Sequence, residues 1–280
     1  MLKLIINADD FGLSKRVNDS ILKSFETGIL RSASLLANGK FFYDAVEIIN
    51  ANPELDVGVH LTLVGGSPIL DAAKVSSIVN RDGNFYEHAF NFSVKYFANR
   101  VSLKEVKSEL SAQIEKILDY GIKISHIDSH QHLHILPKIF DLTVKLADHY
   151  KIKFIRFPKE RLCRYMLRDL RYFPRIIQMA SLNFFCFIIK DRKFNKTNSF
   201  VGFFWGGKMN KKKLLTIINN LPEDGICELM CHPGFTEDSA RFSARAYRRV
   251  EEMNALTDSE VVKLLNKRKI EITCFNALCQ

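Results

Sequence analysis

The sequence lacks the cysteine patterns that mark zinc knuckles and disulfide-rich scaffolds. Its six cysteines are scattered and contain no Cys-x-x-Cys pair, so neither a structural zinc site nor a disulfide framework is predicted from them. A secretory signal peptide is also not expected, because the short apolar segment from Met1 runs directly into Asp9 and Asp10. We therefore expect a reducing, cytoplasmic setting.

Long apolar runs are lacking as well. The uncharged stretch Ile176–Ile189 has fourteen residues, whereas a bilayer span needs about 20. Five arginines precede it, many of them at helical spacing: Arg161, Arg164, Arg168, Arg171 and Arg175. Two interpretations stay open for this region, namely a core helix that covers the fold and an interfacial amphipathic element that rests on anionic lipid.

Acidic residues are scarce in one region only. The net charge is +10, and the stretch from Lys151 to Lys193 holds twelve Lys and Arg residues against three acidic ones. The rest of the chain is nearly neutral, which argues against a protein devoted to binding nucleic acid, and we expect no nucleic-acid partner. An anionic membrane surface is compatible with this charge, so we expect peripheral contact through residues 160–193 at the inner membrane face.

What the chain has is enough apolar material for a large core and a regular order of elements. Hydrophobic residues make up 47% of its 280 residues, which suits one barrel-type domain. Short apolar runs alternate with helical periodicity, and repeated β-then-α order implies parallel strands in a barrel or a doubly wound sheet. The predicted strands are Leu2–Ala8, Ser32–Ala37, Val57–Leu63, Ile122–Asp128, Lys153–Phe157, Ser199–Phe204, Ile226–Cys231 and Ile270–Cys274. We expect one domain over 1–280 with insertions at 64–100 and 159–198.

Ionisable residues gather where these predicted strands end. They are Asp9, Asp10, His60, Asp128, His130, Arg156 and His232. In (β/α) barrels the active site is built at the carboxyl ends of the strands. Several strands that deliver such groups to one rim indicate an enzyme site, because packing does not require this arrangement.

Each of these residues has a structural alternative. The aspartate pair could cap the next helix, although two adjacent carboxylates repel each other unless a cation or a proton lies between them. His60 alone could be a satisfied buried histidine, and His232 could belong to a plain turn before Pro-Gly. Arg156 could be only a surface cation. The convergence on one rim favours the functional interpretation for all of them.

Four of the eight histidines lie in the segment from His126 to His134. Alternation along an extended segment would put Asp128, His130, His132 and His134 on one side. They cannot all be ligands of one cation together with His60 and an aspartate, so some must contact the ligands or the substrate. We interpret His126 as structural.

Four motifs together resemble the YdjC-like carbohydrate deacetylases, which include chitooligosaccharide deacetylases and the HpnK proteins found with hopanoid biosynthesis. The motifs are Asn7–Ser14, Val57–His60, His126–His134 and Met230–Gly234. The resemblance runs from the first strand to about residue 240, with residues 160–198 outside the motifs. It implies a TIM-like (β/α) barrel of the polysaccharide-deacetylase type with seven strands.

The resemblance also implies roles at the site. Asp10, His60 and His130 match the ligands of a divalent metal. Asp9 matches the catalytic base, and His232 the acid opposite it. Arg156 is similar to the arginine that orients the base. His134 and Asp128 are assigned to contacts with the substrate or with the ligands.

The order of roles between Asp9 and Asp10 stays open, since both carboxylates would stand near the metal. Mg is the expected cation, and mixed Asp/His ligation also suits Zn, Mn, Co or Ni. The expected reaction is removal of an N-acetyl group from an N-acetylhexosamine in an oligosaccharide or glycolipid. Oligomeric state, including a homodimer, stays open.

Two other classes of function stay open. One is a metal-dependent glycosidase or phosphoesterase on the same barrel, and the other is a non-catalytic protein that binds a membrane surface. A glycosidase would need two carboxyl groups across the cleft. Glu228 is one acidic residue nearby, and we predict no clear second carboxyl group to act with it.

Overall fold

The computed structural model describes residues 1–235 and 247–278. Cys279 lies outside the described residues, as does the end of the region of resemblance near residue 240. Within the described residues, strands and helices alternate along most of the chain. The strands are β1 Leu2–Phe11, β2 Ser32–Leu35, β3 Asp56–Leu61, β4 His126–Ser129, β5 Phe154–Ile155, β6 Ser199–Val201, β7 Gly225–Cys231 and β8 Glu271–Thr273. The helices are α1 Lys15–Thr27, α2 Phe42–Ala51, α3 Ala89–Phe97, α4 Leu103–Asp119, α5 Pro137–His149, α6 Phe173–Ile189, α7 Lys211–Asn219, α8 Arg249–Leu256 and α9 Ser259–Lys267.

Seven strands form one parallel sheet in the order β5-β4-β3-β2-β1-β7-β6. The last strand, β8, pairs with Lys3–Ile5 of β1, whereas β2 pairs with β1 from Asn7 onward. The sheet curls into a half-barrel with helices packed outside it. The predicted α/β class and parallel sheet are therefore confirmed. Isolated bridges such as Phe154–Asn195 lie between the edge strands, but no continuous ladder joins β5 to β6 among the described residues.

The interior of the half-barrel changes from apolar to polar along the strands. At the amino-terminal end, Ile5, Phe154 and Phe275 form a small buried cluster. Each such side chain contributes about 1.5–3 kcal/mol when it is removed from water. Toward the carboxyl ends the inward positions carry Asn7, Asp9, His60 and other polar groups, all buried. The apolar end therefore anchors the sheet, and the ionisable groups occupy the other end.

Side chains cap two of the helices at their starts. Ser102 caps α4, since its Oγ accepts a hydrogen bond from the Glu105 backbone N–H at 3.4 Å. The Glu105 carboxylate accepts from the Ser77 backbone N–H, so the reciprocal half of a capping box is not formed there. Asp258 caps α9, because the Asp258 carboxylate accepts from the Glu260 N–H at 2.8 Å.

Strand β6 ends earlier than predicted. It stops at Val201 because Gly202 adopts φ +107°, a region open mainly to glycine. The backbone N–H groups of Gly202 and Phe204 then donate to the buried carboxylate of Glu160, at 3.0 and 2.8 Å. This carboxylate replaces the strand partners that the turn gives up.

Candidate active site at the carboxyl ends of the strands

Both aspartates of the pair are buried at the rim. In a regular strand two consecutive side chains point to opposite faces. Here the pairing of β1 with β2 is irregular between Ala8 and Phe11, and Asp10 adopts φ +67°, a left-handed conformation that aspartate tolerates better than most residues. This local turn lets Asp9 and Asp10 both reach the same site.

Asp10 stands between two histidines. Its Oδ1 lies 3.7 Å from His60 Nε2 and 3.2 Å from His130 Nδ1, and one donor atom from each of the three residues falls within 4.8 Å of the others. Among the described residues, neither Asp10 Oδ1 nor His130 Nε2 has a hydrogen-bond partner. A buried carboxylate and two imidazoles with unused donor atoms fit a divalent cation.

A buried arginine keeps Asp10 ionised. Burial raises the pKa of Asp10, but the charge of Arg249 overrides this and holds the pKa well below its usual value. The contact joins Arg249 Nη2 to Asp10 Oδ2 at 2.7 Å, so Oδ1 stays available on the side of the histidines. A deprotonated carboxylate is the form that binds a metal.

Asp128 orients His60. The His60 Nδ1 lies 2.7 Å from Asp128 Oδ1, which leaves Nε2 directed toward Asp10. Burial lowers the pKa of His60, but the charge of Asp128 outweighs it and raises the pKa to about 9. A carboxylate behind a histidine is the usual way to fix the orientation of a metal-binding imidazole.

Arg156 lies at the centre of the polar interior and contacts three carboxylates. Its guanidinium donates to both oxygens of Asp9 at 2.7 Å, and Nη1 also lies 2.7 Å from Asp128 Oδ2. Its Nε donates to Glu228 Oε1 at 2.6 Å. The alternative of a surface cation is wrong, because Arg156 is 1% exposed.

The same contacts decide between two candidate cation groups. Asp9, His60 and Asp128 also bring donor atoms within 4.8 Å of one another. In that group both carboxylates are already bound to the guanidinium of Arg156. The group of Asp10, His60 and His130 is therefore better suited to a cation.

Asp9 is held in a fixed orientation and still faces the cavity. Besides the Arg156 fork, its Oδ1 accepts a hydrogen bond from Asn7 Nδ2 at 3.0 Å. Its Oδ2 lies 3.9 Å from His232 Nε2, and Asp9 lines the cavity described below. An oriented carboxylate that faces a cavity can accept a proton from a bound molecule.

His232 follows β7 and is fixed through its backbone. The His232 N–H donates to Glu252 Oε2 at 2.6 Å, and its ring packs against Tyr247 with centroids 5.0 Å apart. Burial lowers the pKa of His232 to about 4, despite the opposing charges of Asp9 and Asp10. The imidazole is therefore neutral at pH 7 in the free site.

The histidine segment does not stay extended. Strand β4 ends at Ser129, and Gln131 and His132 adopt φ +53° and +56° in the following turn. The predicted alternation past Asp128 is therefore wrong, and only His130 of the later histidines reaches Asp10. His132 packs between Phe200 and Phe203.

His134 is buried behind the site. Its Nε2 donates to the backbone carbonyl of Arg156 at 2.9 Å, and its Nδ1 accepts from Ser129 Oγ at 2.6 Å. Burial lowers the pKa of His134 to about 4, which agrees with a neutral imidazole that makes both of these hydrogen bonds. Its position favours support of Arg156 over contact with a substrate.

His126 lies deepest among the clustered histidines. Its ring stacks on Phe275 at 4.0 Å, and Ser34 Oγ lies 3.1 Å from its Nε2. A Cβ at Gly58 would come within 2.3 Å of this ring, which explains the glycine two residues before His60. The geometry agrees with a structural role for His126.

Three residues that the sequence did not point to support the site. Asn7 fixes Asp9, Glu252 fixes the backbone of His232, and Arg249 pairs with Asp10 across 239 positions of the chain. Asn7 lies in a predicted motif, so its position was a usable signal. Arg249 and Glu252 lie on α8, where no local pattern distinguishes them from surface charges.

A cavity of about 700 Å³ opens above this group. Its floor is formed by Asp9, His60, His130 and His232. Its walls come from α3 and α6, which lie within the two predicted insertions. The insertions therefore shape the space that a ligand would occupy.

A curled parallel sheet with ionisable groups at the carboxyl ends of its strands is the arrangement of a barrel-type enzyme. A family model described as YdjC-like protein matches residues 3–267. The chain belongs to this family. The assignment from the four motifs is confirmed, and with it the prediction of an enzyme.

Curated relatives match over nearly the whole chain. A carbohydrate deacetylase of Listeria monocytogenes is 32% identical, with 99% of this chain and 100% of the relative covered. A carbohydrate deacetylase of Brevibacillus brevis is 30% identical over the same shares. A crystal structure from Enterococcus faecalis, named as a candidate cellobiose-phosphate cleavage protein, is 27% identical with a TM-score of 0.78, covering 99% of this chain and 98% of that one.

Proposed function

We propose that the protein is a cytoplasmic, metal-dependent deacetylase that hydrolyses an N-acetyl group on an N-acetylhexosamine in an oligosaccharide or glycolipid. The observation that carries the proposal is that two adjacent buried carboxylates face different partners. Asp10 faces His60 and His130 with an unused oxygen, and Asp9 faces the cavity in the fork of Arg156. The names of the curated relatives support the reaction class.

Asp10, His60 and His130 would hold the divalent cation, with Mg as the expected ion and Zn, Mn, Co or Ni also compatible. A cation bound there supplies Lewis acidity that polarises the acetamide carbonyl and makes a water molecule more acidic. Asp128 keeps His60 Nε2 directed at this position through its 2.7 Å contact with Nδ1. Because the pKa of His60 is raised to about 9, a cation bound there would displace the proton on Nε2.

Asp9 acts as the base. Arg156 donates to both oxygens of the Asp9 carboxylate and so prevents its rotation, and Oδ2 stays on the side of His232. Hydrolysis of an amide transfers one proton of the attacking water to the departing nitrogen, because an amine anion leaves very poorly. His232 is the group placed to deliver that proton.

We infer the order of proton transfers from the neutral state of His232. Since burial lowers its pKa to about 4, the free imidazole has no proton to give beyond its own N–H. Asp9 accepts the proton of water, and His232 Nε2, 3.9 Å from Asp9 Oδ2, takes it after a small movement. His232 then donates it to the amine nitrogen, which leaves both groups as they began.

The test is release of acetate from N-acetylglucosamine oligomers and N-acetylglucosaminyl lipids by the purified protein. We expect acetate release that stops after metal removal by a chelator and returns with a divalent salt. Reducing ends and phosphate are measured in the same samples, with cellobiose phosphate as a further substrate, because a glycosidase or phosphoesterase would produce those instead. Metal-independent acetate release, or new reducing ends without acetate, would refute the proposal.

A further inference from the structure

Helix α6 is apolar on two opposite sides. One side packs into the protein through Met179, Leu182, Cys186 and Ile189. The other side is exposed to solvent and carries Phe173, Ile177, Phe184, Phe187 and Ile188. A helix that is hydrophobic all round normally lies in a protein core or in lipid. Here only one side has a protein partner among the described residues.

Helix α3 carries a second exposed apolar stripe. Phe90, Val94 and Phe97 follow one another at spacings of four and three residues and are all exposed, while Phe92 on the other side is buried. Phe97 stacks on Phe185 of α6 with centroids 6.0 Å apart. The stripes of the two helices therefore adjoin. We call their exposed residues the mouth patch: Phe90, Val94, Phe97, Phe173, Ile177, Phe184, Phe187 and Ile188.

The mouth patch borders the opening of the active-site cavity. Phe90 of α3 and Ile177 of α6 line the cavity as well as belonging to the patch. The same cavity ends on His60 and His130. A molecule that enters the site therefore passes between two exposed apolar surfaces, which is unusual for an enzyme whose ligand arrives from water.

The charge next to the patch selects an anionic partner. Arg161, Arg164, Arg168, Lys190 and Lys193 flank α6 and are all exposed. Leu167 and Leu170 lie among these cations and are 58% and 85% exposed. Apolar side chains mixed with Lys and Arg suit the interface of an anionic bilayer, where the cations attract the headgroups and the apolar side chains leave water.

The patch lies on a surface and does not span a bilayer. By length and composition the 20-residue stretch Leu170–Ile189, with a mean hydropathy of 1.3 and 22% of it buried, would suffice to cross a membrane. The packed side of α6 holds it against the half-barrel, however, and leaves only the outer side for lipid. Of the two sequence-based interpretations, the interfacial element accounts for the exposed side chains and the core helix does not.

We propose that the mouth patch docks the protein on an anionic lipid surface, and that the acetylated sugar reaches the site from a lipid anchor in that surface. The second part rests on the proposed function, since it specifies the substrate of the same site. Docking would place the cavity opening at the level of the headgroups, so that the sugar enters while its lipid stays in the bilayer.

The first experiment measures binding by flotation. The probes are vesicles of phosphatidylcholine alone and of phosphatidylcholine mixed with phosphatidylglycerol. We expect binding to the mixed vesicles that weakens as salt rises. Phe184→Ser/Phe187→Ser should weaken vesicle binding at least about tenfold, because the variant lacks two apolar side chains that move from water into lipid in the wild type. The matched control is Tyr43→Ser/Val262→Ser, which removes exposed apolar groups on α2 and α9 and should bind as the wild type does.

Charge reversal tests the electrostatic part. Arg164→Glu/Arg168→Glu should weaken binding to the mixed vesicles by tenfold or more. Lys104→Glu/Lys107→Glu makes the same change of charge on the exposed side of α4 and should have little effect. Equal losses in both variants would mean that net charge alone drives binding, which would overturn docking through the patch.

Activity measurements on a soluble and on a lipid-linked substrate test lipid docking and the proposed deacetylase function separately. The Phe184/Phe187 variant should hydrolyse soluble N-acetylglucosamine oligomers at the wild-type rate and lose rate only on an N-acetylglucosaminyl lipid in vesicles. Wild-type protein that releases acetate but does not bind the mixed vesicles overturns docking and leaves the function intact. Vesicle binding without acetate release from either substrate refutes the function alone. A dimer that dissociates in the variant, with no vesicle binding by the wild type, assigns the patch to a second copy of the chain.

Discussion

Buried carboxylates occur in two regions of this protein, and they differ in what neutralises them. At the rim, Asp10 and Asp128 face Arg249 and Arg156 at 2.7 Å. Behind the rim, Glu160 accepts the backbone N–H groups of Gly202 and Phe204. Glu252 on α8 accepts those of Met209 and His232. All four acids are buried.

The difference appears in ionisation. Burial raises the pKa of each rim aspartate, but the neighbouring arginine outweighs it and the pKa falls well below its usual value. Burial also raises the pKa of Glu160 and Glu252, and there the backbone N–H groups leave it at about 7. A full charge at contact distance therefore offsets burial, and a pair of amide dipoles does not. Asp10 and Asp128 at the rim are therefore ionised, whereas Glu160 and Glu252 serve to hold the backbone.

Glu228 marks the boundary between the two kinds. It touches Arg156 at 2.6 Å, yet burial raises its pKa to about 7. Arg156 already serves Asp9 and Asp128, and one positive charge cannot stabilise three negative ones equally. Glu228 Oε2 has no hydrogen-bond partner among the described residues. When one of the three carboxyl groups around Arg156 is protonated, we therefore expect the proton on this oxygen.

Removing Arg156 should have the largest effect. Arg156→Met leaves Asp9, Asp128 and Glu228 buried without their cation, which should lower the free energy of unfolding by about 3–5 kcal/mol. Urea denaturation measures this. Arg156→Lys should recover part of the stability but little activity, because an ammonium cannot hold both oxygens of Asp9.

Arg81→Met is the matched control for that change, since Arg81 is exposed. It should alter stability by less than about 0.5 kcal/mol. An Arg156→Met protein as stable as this control would mean that the three carboxylates take up protons without cost, and the contrast between the two regions would not hold.

Separating the two aspartate roles should give the next largest effect. Asp9→Asn should reduce acetate release by about 10²–10⁴-fold and leave metal content nearly unchanged. His60→Ala and His130→Ala should lose metal as well as activity. Metal analysis beside the acetate assay distinguishes them. Near wild-type turnover of Asp9→Asn would assign the base elsewhere, with Asp10 as the first candidate.

The pH dependence of stability tests the buried carboxylate of Glu160. Glu160 has a folded pKa of about 7, above the 4.3 of a free glutamate. Below both values the carboxyl is protonated in either state and carries no penalty. As pH rises from about 4.3 to 7 the unfolded chain ionises first, so the wild type loses up to about 3 kcal/mol that Glu160→Gln does not lose.

The readout for Glu160 is the difference in unfolding free energy between wild type and variant at pH 5 and pH 7.5. Glu54→Gln, at an exposed position after α2, should show no such difference. A constant gap between wild type and Glu160→Gln at both pH values would mean that two amides suffice to keep a buried carboxylate ionised.

The sequence revealed the rim better than its supports, for a physical reason. Asp9, Asp10, His60 and His130 lie at strand ends, and the carboxyl ends of parallel strands meet at one edge, so chain order alone predicts their proximity. Arg249 and Glu252 reach the site from α8, where the helix position depends on packing that no local pattern encodes. The turn at Gln131 and His132 was missed for a similar reason, because a left-handed pair of non-glycine residues has no simple sequence signal.

Replacing Arg249 should give the smallest effect, and the direction of the change in metal affinity is informative. Arg249→Met removes the group that orients Asp10 through Oδ2, and loss of such support weakens metal binding by about tenfold or somewhat more. Arg249→Lys should keep most of the affinity, since the charge stays near the carboxylate. Metal titration of the apoprotein measures both. Tighter binding by Arg249→Met would show that repulsion between the guanidinium and the cation outweighs orientation, and Arg249 would then be a competitor for Asp10.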